Sequence, residues 1–257
     1  MIALISIGIL SGLFFSSTFI LNRLMSVEGG HWVWSASLRY AYMILFLTAL
    51  IAMFQGVGAT GRLGRLFLRH WAFWVISGSI GFGGFYSLIC FSADHAPGWV
   101  VATTWQLTIL ASLVVLMCFG RSFPKRIWFF SSIVFLGVLM VNLSQTDITS
   151  VKALLMGGFP VLLAAFCYPT GNQLVWEAKK GNRYLPDITD PLVENPFNKV
   201  LLLSLGSVPF WLLLVAVIRP PLPSGGQLIH TALVALFFRH PGNKPFPVRT
   251  EQSSPCR

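Results

Sequence analysis

Acidic residues are scarce in this chain. Asp and Glu number 8 against 18 Lys and Arg in 257 residues, and charged residues of both signs make up only 10%. A soluble domain carries about 25%, so a water-soluble fold is excluded. Hydrophobic residues reach 55%, too many for a disordered chain, and the long apolar runs lack the alternating pattern of an outer-membrane barrel. A bundle of membrane-spanning helices is left. Cysteine is sparse as well. Cys90, Cys118 and Cys167 sit inside apolar stretches and Cys256 near the end, without a C-x-x-C pair, which fits small buried residues and not a metal site or disulfide framework. The sequence has no H-E-x-x-H, G-x-x-x-x-G-K-[ST] or G-x-S-x-G, so metalloprotease, nucleotide-driven pump and serine hydrolase chemistries lack their residues. No cofactor, metal or enzymatic activity is expected. The net charge of +10 lies in short segments between apolar runs, where it marks topology and not nucleic-acid binding.

About 20 apolar residues are needed to cross roughly 30 Å of hydrocarbon. Seven runs qualify: Met1 to Leu21, Trp32 to Phe54, Trp71 to Phe91, Trp99 to Phe119, Ile127 to Leu143, Ala153 to Val175 and Val200 to Ile218. An eighth, Gln227 to Phe238, is too short to span as it stands. The first run has no preceding basic residue and no small-x-small cleavage pattern, so it is taken as a retained helix. The segment Trp176 to Asn198, with Pro186, Pro191 and Pro196, argues against a continuous helix there.

With the amino terminus inside, Arg62, Arg65, Arg69, Arg121, Lys125, Arg126, Lys179, Lys180, Arg183 and Lys199 are cytoplasmic, and only Arg23, Lys152 and Arg219 are outside. This asymmetry is the one expected of cytoplasmic loops. It puts Trp32, Trp34 and Trp99 near the outer interface, where indoles are favoured.

Transporters are often built from two halves of opposite orientation. An offset of 150 residues pairs Ala3 with Ala153, Leu4 with Leu154, Gly8 with Gly158, Leu13 with Leu163 and Asn22 with Asn172, five identities in 20 positions. Arg39 and Lys199 are a second correspondence, each a basic residue near the start of the following helix. The expected organisation is an all-α membrane protein, a polytopic helix bundle with inverted five-helix repeats: residues 1–146 form the first, 151–238 an incomplete second, and 239–257 a polar tail. The tail, with four prolines and five charged residues, cannot be a membrane helix. The expectation is a ten-helix protein cut short or frame-shifted at its carboxy terminus.

Arg39 lies about seven residues into its helix, roughly 10 Å from the outer end, and an arginine at mid-membrane costs about 2.5–3.5 kcal/mol on insertion scales. Two readings stand: snorkelling to the interface over Trp32 or Trp34, or a charge facing the bundle that binds an anionic group or holds a helix pair. Asn22 and Asn172 near helix ends suit interhelical hydrogen bonding. Tyr168, Pro169 and Gly171, with Pro160 upstream, predict a bent helix beside a midplane cavity. Thr103, Thr104, Trp105, Gln106 and Thr108 fit a cavity lining, although threonine hydroxyls also bond back to their own helix. Gly78, Gly81, Gly83 and Gly84 form a close-packing surface. No carboxylate falls within a span. Glu28 and Asp94 are the nearest, and Asp94 with His95 is taken as a solvated loop pair and not a proton-exchange site.

The strings TFILNR (Thr18 to Arg23), WVWSASLRY (Trp32 to Tyr40), GFGGFY (Gly81 to Tyr86), PGWVVATTWQLTI (Pro97 to Ile109), AAFCYPTGN (Ala164 to Asn172) and GSVPFW (Gly206 to Trp211) resemble the multidrug resistance efflux branch of the drug/metabolite transporter superfamily, from the first residue to about Phe238. The resemblance implies two inverted five-helix repeats, amino terminus inside, exporting small organic molecules by alternating access, with proton coupling. The membrane glutamate that the small four-helix relatives use has no counterpart between Met1 and Leu21, and Tyr184 to Glu194 resembles an insertion. The leading reading is an inner-membrane secondary transporter with a substrate path of Asn22, Arg39, Trp105, Gln106, Tyr168 and Asn172. Its partners would be the lipid bilayer and a small organic substrate, with no nucleic acid, and a homodimer is one arrangement open to it. The rival reading is an inactive remnant or a non-transporting membrane interaction protein.

Overall fold

The computed structural model describes residues 6, 18, 20–27, 30–144, 154–182 and 184–237. Most of the first apolar run, the tail at 239–257, and Glu28, Lys152, Arg183 and Cys256 lie outside the described residues. Among those described, every regular element is helical. These are α1 (20–27), α2 (Trp32–Gln55), α3 (Val57–Arg69), α4 (Trp71–His95), α5 (Gly98–Cys118), α6 (Lys125–Ser144), α7 (Phe159–Lys179), α8 (Pro196–Ile218) and α9 (Gly225–Phe237).

Five of them, α2, α4, α5, α6 and α8, are long and apolar enough to cross a membrane, matching five of the seven runs within a few residues. The protein is therefore a multi-pass membrane helix bundle. The sixth run also folds as a helix, α7, preceded by a π turn at Leu154–Gly158. Asn172, Gln173, Glu177 and Lys179 leave it less apolar than the other five. It keeps these groups away from lipid because α4 and α5 pack along it. The helix runs unbroken through Pro169, so the predicted bend is no interruption.

Opposite helix ends are fastened by polar contacts, which trace an alternating path. At one end Gln55 and Asn198 exchange reciprocal amide hydrogen bonds of 3.1 and 3.2 Å, joining the end of α2 to the start of α8. Arg121, just after α5, pairs with Glu177 of α7 at 3.7 Å. The cluster Arg62, Arg65, Arg69, Arg121, Lys125 and Arg126 belongs to this basic end. At the other end Arg23 donates to the carbonyls of Ala93 and Asp94 at 2.9 and 3.2 Å, and Trp34 Nε1 donates to Pro221 O at 2.6 Å. Gln227 Nε2 donates to His31 O and Ser35 Oγ, both at 2.9 Å, seating α9 against α2.

The loop after α2 is itself structured. Gly56, at φ 85°, supplies a left-handed backbone that a side chain would oppose, and α3 follows as an amphipathic helix. It buries Ala59, Leu63 and Leu66 on one face, while its arginines line the polar one. Counting only runs of membrane-spanning length passes over such an element; the Leu63, Leu66 spacing among Arg62, Arg65 and Arg69 is the signal that reveals it.

α4 is the centre. Of its most apolar stretch 61% is buried, against 17% for α6. A π turn at Ser79–Gly84 interrupts it, and on this stretch the expected glycine surface makes two crossings. A Cβ on Gly81 would lie 2.8 Å from Gly171 Cα of α7, and one on Gly78 would strike Leu203 O of α8. Gly206 of α8 meets the carbonyl of Trp74 in the same way, and a Cβ on Gly83 would come within 2.7 Å of the Phe210 ring. Gly84 has ordinary clearance. Both neighbours thus approach α4 backbone to backbone, which larger residues would prevent. Asp190 and Asn195 cap the 3-10 turn Pro191–Glu194 and α8 by accepting from Leu192 N and Phe197 N, each at 2.9 Å. Consequently α8 begins four residues before Val200, and Lys199 lies inside it.

Candidate functional site

Arg39 projects from α2 into the bundle and is only 3% exposed. Its guanidinium donates to the Tyr86 hydroxyl and lies over the Tyr86 ring, with Cζ 4.2 Å from the centroid. Tyr86 in turn donates to Asn22 Oδ1 at 3.1 Å. The geometry is the one facing the bundle; neither Trp32 nor Trp34 takes the cation. A desolvated cation-π contact is worth about 2 kcal/mol, and a hydrogen bond to a charged donor about 1.5–3 kcal/mol. Together these are of the size of the insertion cost, which explains how a buried arginine is tolerated. Asn22 is also buried, and its Nδ2 has no acceptor among the described residues.

Around this triad the helices supply rings. Tyr40, one residue on from Arg39, stacks on Trp211 of α8 at 5.2 Å and meets Tyr86 edge-on at 5.7 Å. Phe85, next to Tyr86, contacts Trp105 of α5 at 5.0 Å and Tyr168 of α7 at 5.1 Å, and Trp105 meets Tyr168 at 6.0 Å. The consecutive pairs Arg39-Tyr40 and Phe85-Tyr86 fall on adjacent helix positions, so each pair serves two neighbouring directions of the bundle.

Beyond Tyr168, towards the basic end, lies a cavity of about 400 Å³ between α5, α7, the 3-10 turn and the start of α8. Tyr168, Asn172 and Trp176 of α7 line it with Ser112 of α5, Glu194 and Lys199. Of the six residues expected on a substrate path, the structure joins Asn22 to Arg39 through Tyr86, and Trp105 to Tyr168; Tyr168 and Asn172 face the cavity. Asn172 Nδ2 donates to its own helix at Tyr168 O, 3.1 Å away. Gln106 stands apart, exposed where a turn at Gln106 and Leu107 divides α5. The threonines beside it bond back locally: Thr103 Oγ1 to Trp99 O at 2.8 Å and Thr108 Oγ1 to Trp105 O at 2.6 Å. Asp94 accepts from Ser26 Oγ at 2.6 Å and helps fasten α1 to α4.

Glu177 is the functional group that counting spans misses. It is buried near the end of α7 and accepts from Gln173 Nε2 at 2.8 Å and Asn182 Nδ2 at 3.2 Å, besides pairing with Arg121. Beside it, the Trp176 ring carries Arg121 Cζ at 4.3 Å and Lys180 Nζ at 3.8 Å. The W-E-A-K-K string at the end of a polar-interrupted helix is the signal that points to it. Among the described residues no cluster of His, Cys, Asp and Glu is arranged to hold a metal.

Known proteins place this arrangement in context. A family model described as "EmrE: Putative multidrug resistance efflux transporter" matches residues 2–239. The chain is 34% identical over 250 residues to the Bacillus subtilis (strain 168) "Uncharacterized protein YjlA", covering 90% of this chain and 72% of that one. It is 35% identical over 243 residues to the "Uncharacterized 42.1 kDa protein in intracellular alkaline protease 3'region" of Shouchella clausii, covering 90% of this chain and 60% of that protein. No solved structure matches the chain. With the match running over nearly its whole length, the chain belongs to the EmrE family of multidrug resistance efflux transporters.

Proposed function

We propose that the chain exports small organic molecules across a bacterial inner membrane by alternating access, with its amino terminus and its basic end in the cytoplasm. The observation that carries this reading is a continuous run of contacts. The cavity at the basic end has Tyr168 in its wall, Tyr168 touches Trp105 and Phe85, and Phe85 adjoins the Tyr86, Arg39 and Asn22 group. A substrate entering from the cytoplasm meets aromatic faces first and a buried cation with hydrogen-bonding groups next, the mixture of apolar walls and few polar groups that suits an organic ligand. α7 supplies the gate: it walls the cavity, and its Gly171 lies directly against Gly81 of α4. Coupling to protons is part of the proposal.

The test is efflux from cells stripped of their main pumps, with a panel of anionic, neutral and cationic fluorescent dyes. The parent chain is expected to lower accumulation of at least one class, and Trp105→Ala and Arg39→Met to abolish most of that effect at equal membrane abundance. Unchanged efflux in both variants removes the aromatic path from the mechanism. No efflux by the parent chain removes the function itself.

A further inference from the structure

We propose that the cavity between α5, α7 and the start of α8 is an entry site selective for aromatic or amphipathic molecules carrying one negative charge, and that Lys199 receives that charge. This deepens the transport reading above and rests on it only for the word entry; the binding itself stands on the cavity. Three charged side chains line it, Lys179, Lys199 and Glu194. Lys179 and Glu194 satisfy each other at 2.7 Å. The Lys199 ammonium has no hydrogen bond or ion pair among the described residues, and two lysines share the one carboxylate, so the lining carries a net single positive charge. Its stem comes from the first turn of α8, where the helix dipole adds positive potential.

The aromatic part of the wall points the same way. An organic cation entering such a cavity would be held on ring faces. The ring of Trp176 already carries the protein's own cations, Lys180 and Arg121, at 3.8 and 4.3 Å; of the two acids near it, the adjacent Glu177 is committed to Arg121, Gln173 and Asn182 and Glu194 to Lys179. A cationic ligand would therefore meet like charges and an occupied ring. An anion meets a lysine, with Tyr168, Val193 and Leu116 to cover its apolar body.

A matched pair of probes decides the sign. Naphthalene-2-sulfonate and 2-naphthyltrimethylammonium share one ring system with opposite charge. Their binding to the full chain in phosphatidylcholine nanodiscs is measured by equilibrium dialysis, with empty discs as the blank. The sulfonate is expected to bind at least tenfold more tightly than the ammonium. Lys199→Met is expected to erase that preference and Lys199→Arg to keep it. Ser112→Phe, which fills the cavity from the opposite wall, weakens the sulfonate tenfold or more while melting as the parent does. Should Lys199→Met unfold, the Lys199→Arg and Ser112→Phe arms still decide. Equal or tighter binding of the ammonium, or sulfonate binding unmoved by both Lys199→Met and Ser112→Phe, overturns the proposal. Adding phosphatidylglycerol to the discs separates the sources of the anion: undiminished sulfonate binding supports a soluble ligand, and displacement supports a lipid headgroup held by the same lysine. Anion binding without any transport refutes the function above and leaves this site standing. Export of cations with no anion binding does the reverse.

Discussion

Replacing Gly206 with valine should loosen the bundle at its centre. A Cβ at this position would lie against the carbonyl of Trp74, and 2.6 Å from that residue's carbonyl carbon. Ordinary contact begins at 3.4 Å, so α8 must move from α4 by more than about 0.8 Å to clear the nearer carbonyl oxygen as well, even before the two methyl groups are placed. Backbone atoms cannot rotate aside as a side-chain tip can. A gap of 0.5–1 Å forfeits a quarter to a half of each dispersion well of about 0.1–0.2 kcal/mol, which over a few tens of atom pairs comes to about 1–2 kcal/mol. Overpacking strain adds about 1–3 kcal/mol. The helix propensities of glycine and valine differ by only a few tenths of a kcal/mol, so nothing offsets the loss, and a net destabilisation of about 2 kcal/mol or more is expected. The measurement is unfolding of the purified chain by SDS titration, followed by circular dichroism. Gly137→Val on α6, where a Cβ meets nothing within 4 Å, is the control and should stay within about 0.5 kcal/mol of the parent. Identical midpoints for Gly206→Val, Gly137→Val and the parent would refute the backbone-to-backbone crossing.

Other perturbations follow from the same contacts. Glu177→Ala removes a charged acceptor from the half-buried amide donors of Gln173 and Asn182 and should cost about 1–3 kcal/mol, whereas Arg121→Ala, at a side chain 41% exposed, should cost less than about 1 kcal/mol; equal losses in the SDS titration would contradict this asymmetry. Asn198→Ala removes the partner of the exposed Gln55 amide and of the half-buried Leu192 carbonyl, with about 0.5–1.5 kcal/mol expected by the same titration. In a cysteine-free background, Arg62→Cys should react with a membrane-impermeant maleimide only in inside-out vesicles and Trp99→Cys only in intact spheroplasts. The opposite pattern would reverse the orientation.

The spanning helices were legible because hydrocarbon solvation acts on every residue of a run independently, and a sum along the chain captures it. α2 and α6 emerge within two residues of their apolar runs for this reason. The glycines of GFGG were legible too, as small residues are the means by which helices approach. The pairing of Arg39 with Tyr86 was not: the two lie 47 residues apart, and nothing local distinguishes Tyr86 from Trp32 or Trp34 as the ring that takes the cation. Gln106 illustrates a related limit, since a polar residue beside Trp105 looks like lining until the turn in α5 aims it outward. Glu177 and α3 escaped for a simpler reason. Both lie just past the edges of apolar runs, at helix ends or along the interface, where hydropathy alone carries no information about burial.

The double crossing at and just before the π turn of α4 has a mechanical consequence. Where two helices mesh through side chains, any displacement requires knobs to leave their holes, and the energy rises in steps. At Gly81 against Gly171, and at Gly78 against Gly206, the touching surfaces are bare main chain. Such a contact resists separation firmly but resists sliding and rolling weakly. α7 therefore meets α4 on a smooth bearing that favours sliding, whereas the Phe210 ring against Gly83 pins the neighbouring joint with α8.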